Sequence, residues 1–166
     1  MAIELVREYL KAFHREQDII ELDMSSATVE LAAKALQTQP ERIAKSLSFM
    51  VEDHAVLIVC AGDCKVDNHA FKEYFHVKAK MLKPDEVMQY TNHTIGGVCP
   101  FAIPSTTSVY LDESLRRFDY VYPACGSSNS AIKCTMEDLE QLTSYHTWID
   151  VCKGWKEFYS IQEQIK

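Results

Sequence analysis

Glycine and proline are scarce in this chain, five of each in 166 residues. No run of about 18 apolar residues occurs, so no membrane span is expected. The opening "MAIELVREYLKAFHREQ" carries charges throughout and has no cleavage pattern, which argues against a signal peptide and for a cytoplasmic protein. There is no GxGxxG, no P-loop, no internal repeat and no Pro/Ser-rich linker, which disfavours the common nucleotide-binding folds and points to one domain over 1–166. Six cysteines are scattered without a CxxC pair. The nearest spacing, "CAGDC", is loose for zinc, so no metal or cofactor is expected and the thiols read as small apolar core residues.

What is present is an ordinary globular mixture, 47% hydrophobic and 25% charged, with a formal charge of −7. That balance argues against general nucleic-acid binding, DNA included. The charge is uneven, however. Residues 65–83 hold five lysines against Asp67 and Glu73, a net of +3, which leaves −10 for the rest. Such a patch suits a partner that is anionic in one place, such as an RNA end. On charge alone, a solvated face with lysines pointing to water is the plainer reading.

Hydrophobic spacing supplies the elements. Ile3, Val6, Leu10 and Phe13 form one helical stripe. "DIIEL" reads as a short strand, and Ser25 or Ser26 as the cap of a helix with Val29, Ala32, Ala33 and Leu36 inward. Pro40 opens a brief helix, "PERIA". "SLSFMV" alternates, while "AVLIVCA" is apolar throughout, as in a strand buried on both faces. "VDNHAFKEYF" and "PDEVMQY" read as helices, and "VKAKM", "SVYLD", "YVYPA" and "AIKC" as short strands. Thr135 caps "MEDLEQL", with Asp138 completing a capping box. A last helical stretch follows Gly154. The layout is α+β, without regular βαβ alternation.

One stretch departs from the rest. "HTIGGVCPFAIP", residues 93–104, contains two of the five glycines and two of the five prolines amid apolar residues. It reads either as a tight crossover between packed strands or as a rigid backbone surface facing a ligand.

"SSATVELAAKALQTQPERIAKSLSF", "VLIVCAGDCKVD", "HTIGGVCPFAIP", "VYLDESL" and "CGSSNSAIKCTMEDLEQLT" resemble, in this order, the YbaK/aminoacyl-tRNA deacylase family. This family includes free-standing prolyl-tRNA editing proteins and the editing insertion of prolyl-tRNA synthetases. The resemblance spans about residues 25–151. It implies a mixed, barrel-like β-sheet surrounded by helices, and hydrolysis of the ester between a wrongly attached amino acid and tRNA. The implied catalytic residues are Lys45 and the GxxxP loop, Gly96, Gly97 and Pro100, with Ser46, Val98, Cys99 and Asp112 at the substrate. A hydroxyl of the terminal ribose is implied to place the attacking water. The implied partners are a mischarged tRNA acceptor end and, as a further candidate, an aminoacyl-tRNA synthetase.

Each residue has a plainer reading beside the implied one. A lysine at a strand start is ordinarily just solvated. Cys99 would need a paired His or a helix N-terminus to act as nucleophile, and His93 is the local candidate; otherwise it lines the pocket. Asp112 either anchors a loop or touches substrate. His69, His76 and His146 show no ligand spacing. Ala124 and Ala131 stand where the Cys-tRNA(Pro)-clearing branch of the family has Ser and Asp, so the amino acid removed stays open. A binding module of the same fold and a hydrolase of another small acyl ester are the competing readings.

Overall fold

The computed structural model describes residues 2–156. Its first helix, α1 (Ala2–Lys11), leads to β1 (Ile20–Glu21), α2 (Val29–Leu36), β2 (Ile43–Val51) and β3 (His54–Ala61). Then come β4 (Lys65–Val66), α3 (Asn68–Phe75), α4 (Pro84–Thr91), β5 (Ser108–Asp112) and β6 (Tyr120–Pro123). The described chain ends with β7 (Ser130–Ala131), β8 (Cys134–Thr135), α5 (Met136–Leu142), β9 (Tyr145–Ile149) and β10 (Cys152–Lys153).

Six strands form one curled, half-barrel sheet in the order β8-β6-β2-β3-β5-β9. It is mixed: β2 pairs antiparallel with β3, while the β2–β6, β3–β5 and β5–β9 pairs are parallel. Two small ladders, β1–β7 and β4–β10, brace its ends. The central β3 is buried from Ala55 to Ala61, which explains its unbroken apolar run. Each fully buried Leu, Ile or Val there contributes about 1.5–3 kcal/mol. Helix α3 covers the face that carries Phe49 and Tyr110: the Phe71 ring lies 5.0 Å from Phe49, and Phe75 lies 5.2 Å from Tyr110. Among the described residues no helix is long and apolar enough to cross a membrane.

Several local expectations need correction. The cap of α2 is Thr28, whose hydroxyl accepts from Leu31 N–H (3.2 Å); Ser26 instead binds the Ser128 carbonyl through both its N–H and its hydroxyl. "PERIA" makes only a single 3-10 turn, because Ile43 is already paired with Tyr122 in β6. "VKAKM" is not a strand: only Met81 bridges to Phe49, and Pro84 begins α4 soon after. "AIKC" splits into β7 and β8, paired with different partners. Phe13 lies past the end of α1, 40% exposed. Strand β9 has no counterpart among the expectations, and the helical stretch expected after Gly154 lies outside the described residues. The Thr135–Asp138 capping box forms, with both bonds at 3.0 Å.

Candidate active site

The site begins with an incomplete sheet edge. Strand β6 pairs with β2 only at Ile43 and Ala44. Four residues on, the 80–82 segment takes over the same edge: Leu82 N–H donates to the Ser48 carbonyl (3.1 Å) and Met50 N–H to the Lys80 carbonyl (2.8 Å). Backbone groups on a strand edge alternate in direction, so Ala44, Ser46, Ser48 and Met50 share the outward phase. Ser46 is the member that neither neighbour reaches. Its hydroxyl is also buried without a partner.

This gap opens into a cavity of about 330 Å³. Val29, Ala32 and Leu36 of α2 form one wall, and Met81, Leu82 and Val87 another. Ala124, Ser130 and Ala131 line a third side, and Gly96 and Val98 of the glycine loop border it. Among the described lining residues, Lys45 is the only charged side chain.

The glycine loop is held from behind. Asn92 ends α4 with φ of 68° and sends its side-chain amide to the Ala102 carbonyl (2.9 Å). The buried His93 ring bonds through Nε2 to the Phe101 carbonyl (2.7 Å), which makes Nε2 the protonated nitrogen and leaves Nδ1 buried and unpaired. Gly97 is pressed against the backbone of Gly126 and Ser127, where a Cβ would lie 2.9 Å from main-chain atoms. Its N–H is taken by the Thr94 carbonyl (3.0 Å). Gly96 has φ of +95°, a conformation suited to glycine, and lies beside Ala27.

The structure therefore brings Lys45, Ser46, Gly96 and Val98 to one cavity and places the other expected residues elsewhere. Gly97 and Pro100 are buried behind it and do not line it. Cys99 is fully buried in the core, so it is not a pocket-lining residue. Burial pushes its thiol up to about 12, and the neighbouring His93, held low by burial and donating to Phe101, is not a base for it. Asp112 is buried away from the cavity lining, and its carboxylate accepts from Ser114 N–H (2.9 Å) and Val151 N–H (3.0 Å). Burial raises its pKa.

Lys45 does not extend freely into the cavity. Its ammonium donates to the carbonyls of Cys64 and Gly62 (3.4 Å), so it pins the turn after β3. Contacts with the Cys152 and Cys60 thiols, helped by Ser114 and Lys45 and opposed by burial, pull the Cys64 thiol down to about 3.

Sequence reasoning treated the apolar stripe of α2 as core. Part of it, Ala33, is buried, while Val29 and Leu36 border the cavity. Nothing in a helical period distinguishes a core-facing side chain from one that lines a void.

Residues 24–142 match the aminoacyl-tRNA editing domain family. The chain is similar, at 50% identity over 94% of its length and all of the relative, to the uncharacterized protein YwhH of Bacillus subtilis (strain 168). It is 28% identical over 61% of its length to a proline--tRNA ligase of Geobacillus sp. (strain WCH70), matching 18% of that enzyme. Among solved structures, a candidate trans-editing enzyme for prolyl-tRNA synthetase superposes with a TM-score of 0.82 at 27% identity, over 92% of this chain and 98% of that one.

Proposed function

Because the chain belongs to the aminoacyl-tRNA editing domain family, we propose that it is a trans-editing hydrolase, which cleaves the ester joining a wrongly attached amino acid to the 3′ end of a tRNA. The observation that carries this reading is the cavity at the unpaired stretch of β2, where Ser46, Lys45, Gly96 and Val98 meet. An aminoacyl ester is already activated, so positioning and charge stabilisation are the main requirements. The outward N–H of Ser46 at this open edge is the donor offered to the developing oxyanion, and the buried, unpartnered hydroxyl of the same residue is a second candidate. The Gly97 N–H is engaged by Thr94, so the glycine loop serves as a rigid wall rather than as the principal donor.

Water adds to the ester carbonyl carbon, the bond to the ribose oxygen breaks, and that oxygen takes up a proton. The products are the free amino acid and the tRNA with its terminal hydroxyl restored. Among the described lining residues none is a carboxylate or histidine, so the neighbouring ribose hydroxyl, which the family resemblance implies places the water, takes the water's proton as it hands its own to the leaving ribose oxygen. Lys45 pins the turn after β3 through the Gly62 and Cys64 carbonyls and has N–H capacity left for a polar group of the RNA end.

The walls favour a small uncharged amino acid. Val29, Ala32, Val98, Ala124 and Ala131 are apolar, and among the described lining residues no carboxylate is there to pair a cationic side chain. Lys78, Lys80 and Lys83 are exposed beside Met81 and Leu82, so the basic segment runs up to the cavity. A tRNA acceptor end is the partner that fits this patch, and a synthetase that charges the same tRNA is the further candidate.

The test is a panel of tRNAs, tRNA(Pro) among them, each charged with a different amino acid and scored for release. Fast release of one small amino acid, with a rate that falls steeply as salt rises, is the expected result. Binding of the RNA end without any release would replace the enzyme with a binding module. Release with a flat salt response would point to a small acyl ester as substrate.

A further inference from the structure

Beneath Lys45, outside the cavity, three thiols converge from three separate elements. Cys60 lies in β3, Cys64 in the turn that follows, and Cys152 in β10. The β4–β10 ladder, with Cys152 opposite Val66, brings the last of them in. Their sulfur atoms all lie within 4.8 Å of one another. The residues are 0%, 1% and 5% exposed, and none is in a disulfide.

We propose that Cys60, Cys64 and Cys152 form a binding site for a soft, thiophilic metal ion, Zn²⁺ or Cu⁺. Metal–sulfur bonds of about 2.3 Å set neighbouring sulfurs about 4 Å apart, so the trio needs only a small contraction to hold an ion. Three thiolates select soft ions over Mg²⁺ or Ca²⁺, which require oxygen. The nearby carboxylate of Asp112 is committed to the N–H groups of Ser114 and Val151. Cu⁺ is satisfied by the three sulfurs. For Zn²⁺, Ser114 Oγ, 3.5 Å from Cys64 Sγ, is the oxygen that can complete a tetrahedron.

Binding releases to solvent the protons that the thiols still carry, and with Zn²⁺ and three thiolates the centre has a net charge of −1. The Lys45 ammonium, fixed on the Cys64 carbonyl, offsets that charge. The ion ties the turn after β3 to β10 and so stiffens the two carbonyls that hold Lys45. This site stands independently of the editing reading, since it requires no tRNA.

The experiment uses the full chain, reduced and kept anaerobic, titrated in one arm with Zn²⁺ and in the other with Cu⁺ under a competing chelator. Binding of one equivalent is expected in at least one arm, with a higher Tm at saturation. Cys60→Ser, Cys64→Ser and Cys152→Ser should each weaken binding at least tenfold, while Cys134→Ser, a buried thiol outside the trio, should retain it. Should these variants fail to fold, X-ray absorption at the metal edge of the unsubstituted protein decides, with three sulfur neighbours expected. No stoichiometric binding in either arm, or a shell of nitrogen and oxygen only, overturns the site.

Discussion

The Lys45 ammonium donates to the main-chain carbonyl of Cys64, so the one charged side chain among the described residues lining the cavity is also the pin of the turn after β3. Lys45→Ala should therefore lose on two counts. Deacylation should fall about a hundredfold or more. Folding stability, read by chemical denaturation, should drop by about 1–3 kcal/mol as charged hydrogen bonds are lost. An unchanged rate on the true substrate would remove this lysine from the mechanism.

Ser46→Ala separates function from stability in the other direction. Its buried hydroxyl lacks a partner, and such a group costs about 1–3 kcal/mol when left unsatisfied. The alanine variant should be as stable as the parent, or more so, while turnover falls about tenfold. A clear loss of stability would make the hydroxyl structural.

Gly97→Ala tests the wall of the site from behind. A methyl group there meets the Gly126 and Ser127 backbone at 2.9 Å, and backbone cannot swing aside as a side chain can. We expect a stability loss of about 1–3 kcal/mol, as for overpacked positions, together with reduced turnover. A fully stable, fully active variant would show that the loop yields freely.

His93 supplies a pH dependence. Burial holds its imidazole below the ordinary 6.5, against the opposing effect of its bond to Phe101. The unfolded chain therefore takes up a proton near pH 6.5 that the folded chain refuses. Its stabilising contribution is complete above that pH and is lost as pH falls through the lowered folded value, at no more than about 1.4 kcal/mol per pH unit. Denaturation midpoints measured across this range should fall with acid, and His93→Gln should flatten the profile.

With its thiol pushed up to about 12, Cys99 stays protonated at any ordinary assay pH. Cys99→Ala should keep its turnover, and no acyl-thioester should accumulate during the reaction. Complete loss of activity in a folded variant would restore the covalent route.

Much of the architecture was legible. The continuous apolar run of β3, the Pro-initiated α4 and the Thr135 capping box are local signals, and each formed where its chemistry requires. The site was legible in part. The glycine loop and Lys45 announced themselves by composition and family resemblance, but the same pattern could not separate Gly96, which borders the cavity, from Gly97 and Cys99, which lie behind it. Alternate side chains of one short loop face opposite ways, and only the packing of Gly97 on Gly126 fixes which. The gap at Ser46 depends on where β6 stops and residues 80–82 begin, a register that no single strand records. Cys152 escaped for the same reason: its neighbours Cys60 and Cys64 are remote in the chain, and the β4–β10 ladder alone unites them.

The open stretch of β2 has an evolutionary corollary. Amide groups of the main chain are shared by every residue type except proline, so most point mutations leave that part of the machinery in place. The alanines at 124 and 131 have no such protection, since each exchange there redraws the contour of the cavity. Under the proposed function, a lineage carrying this scaffold can thus change what it removes while keeping how it removes it.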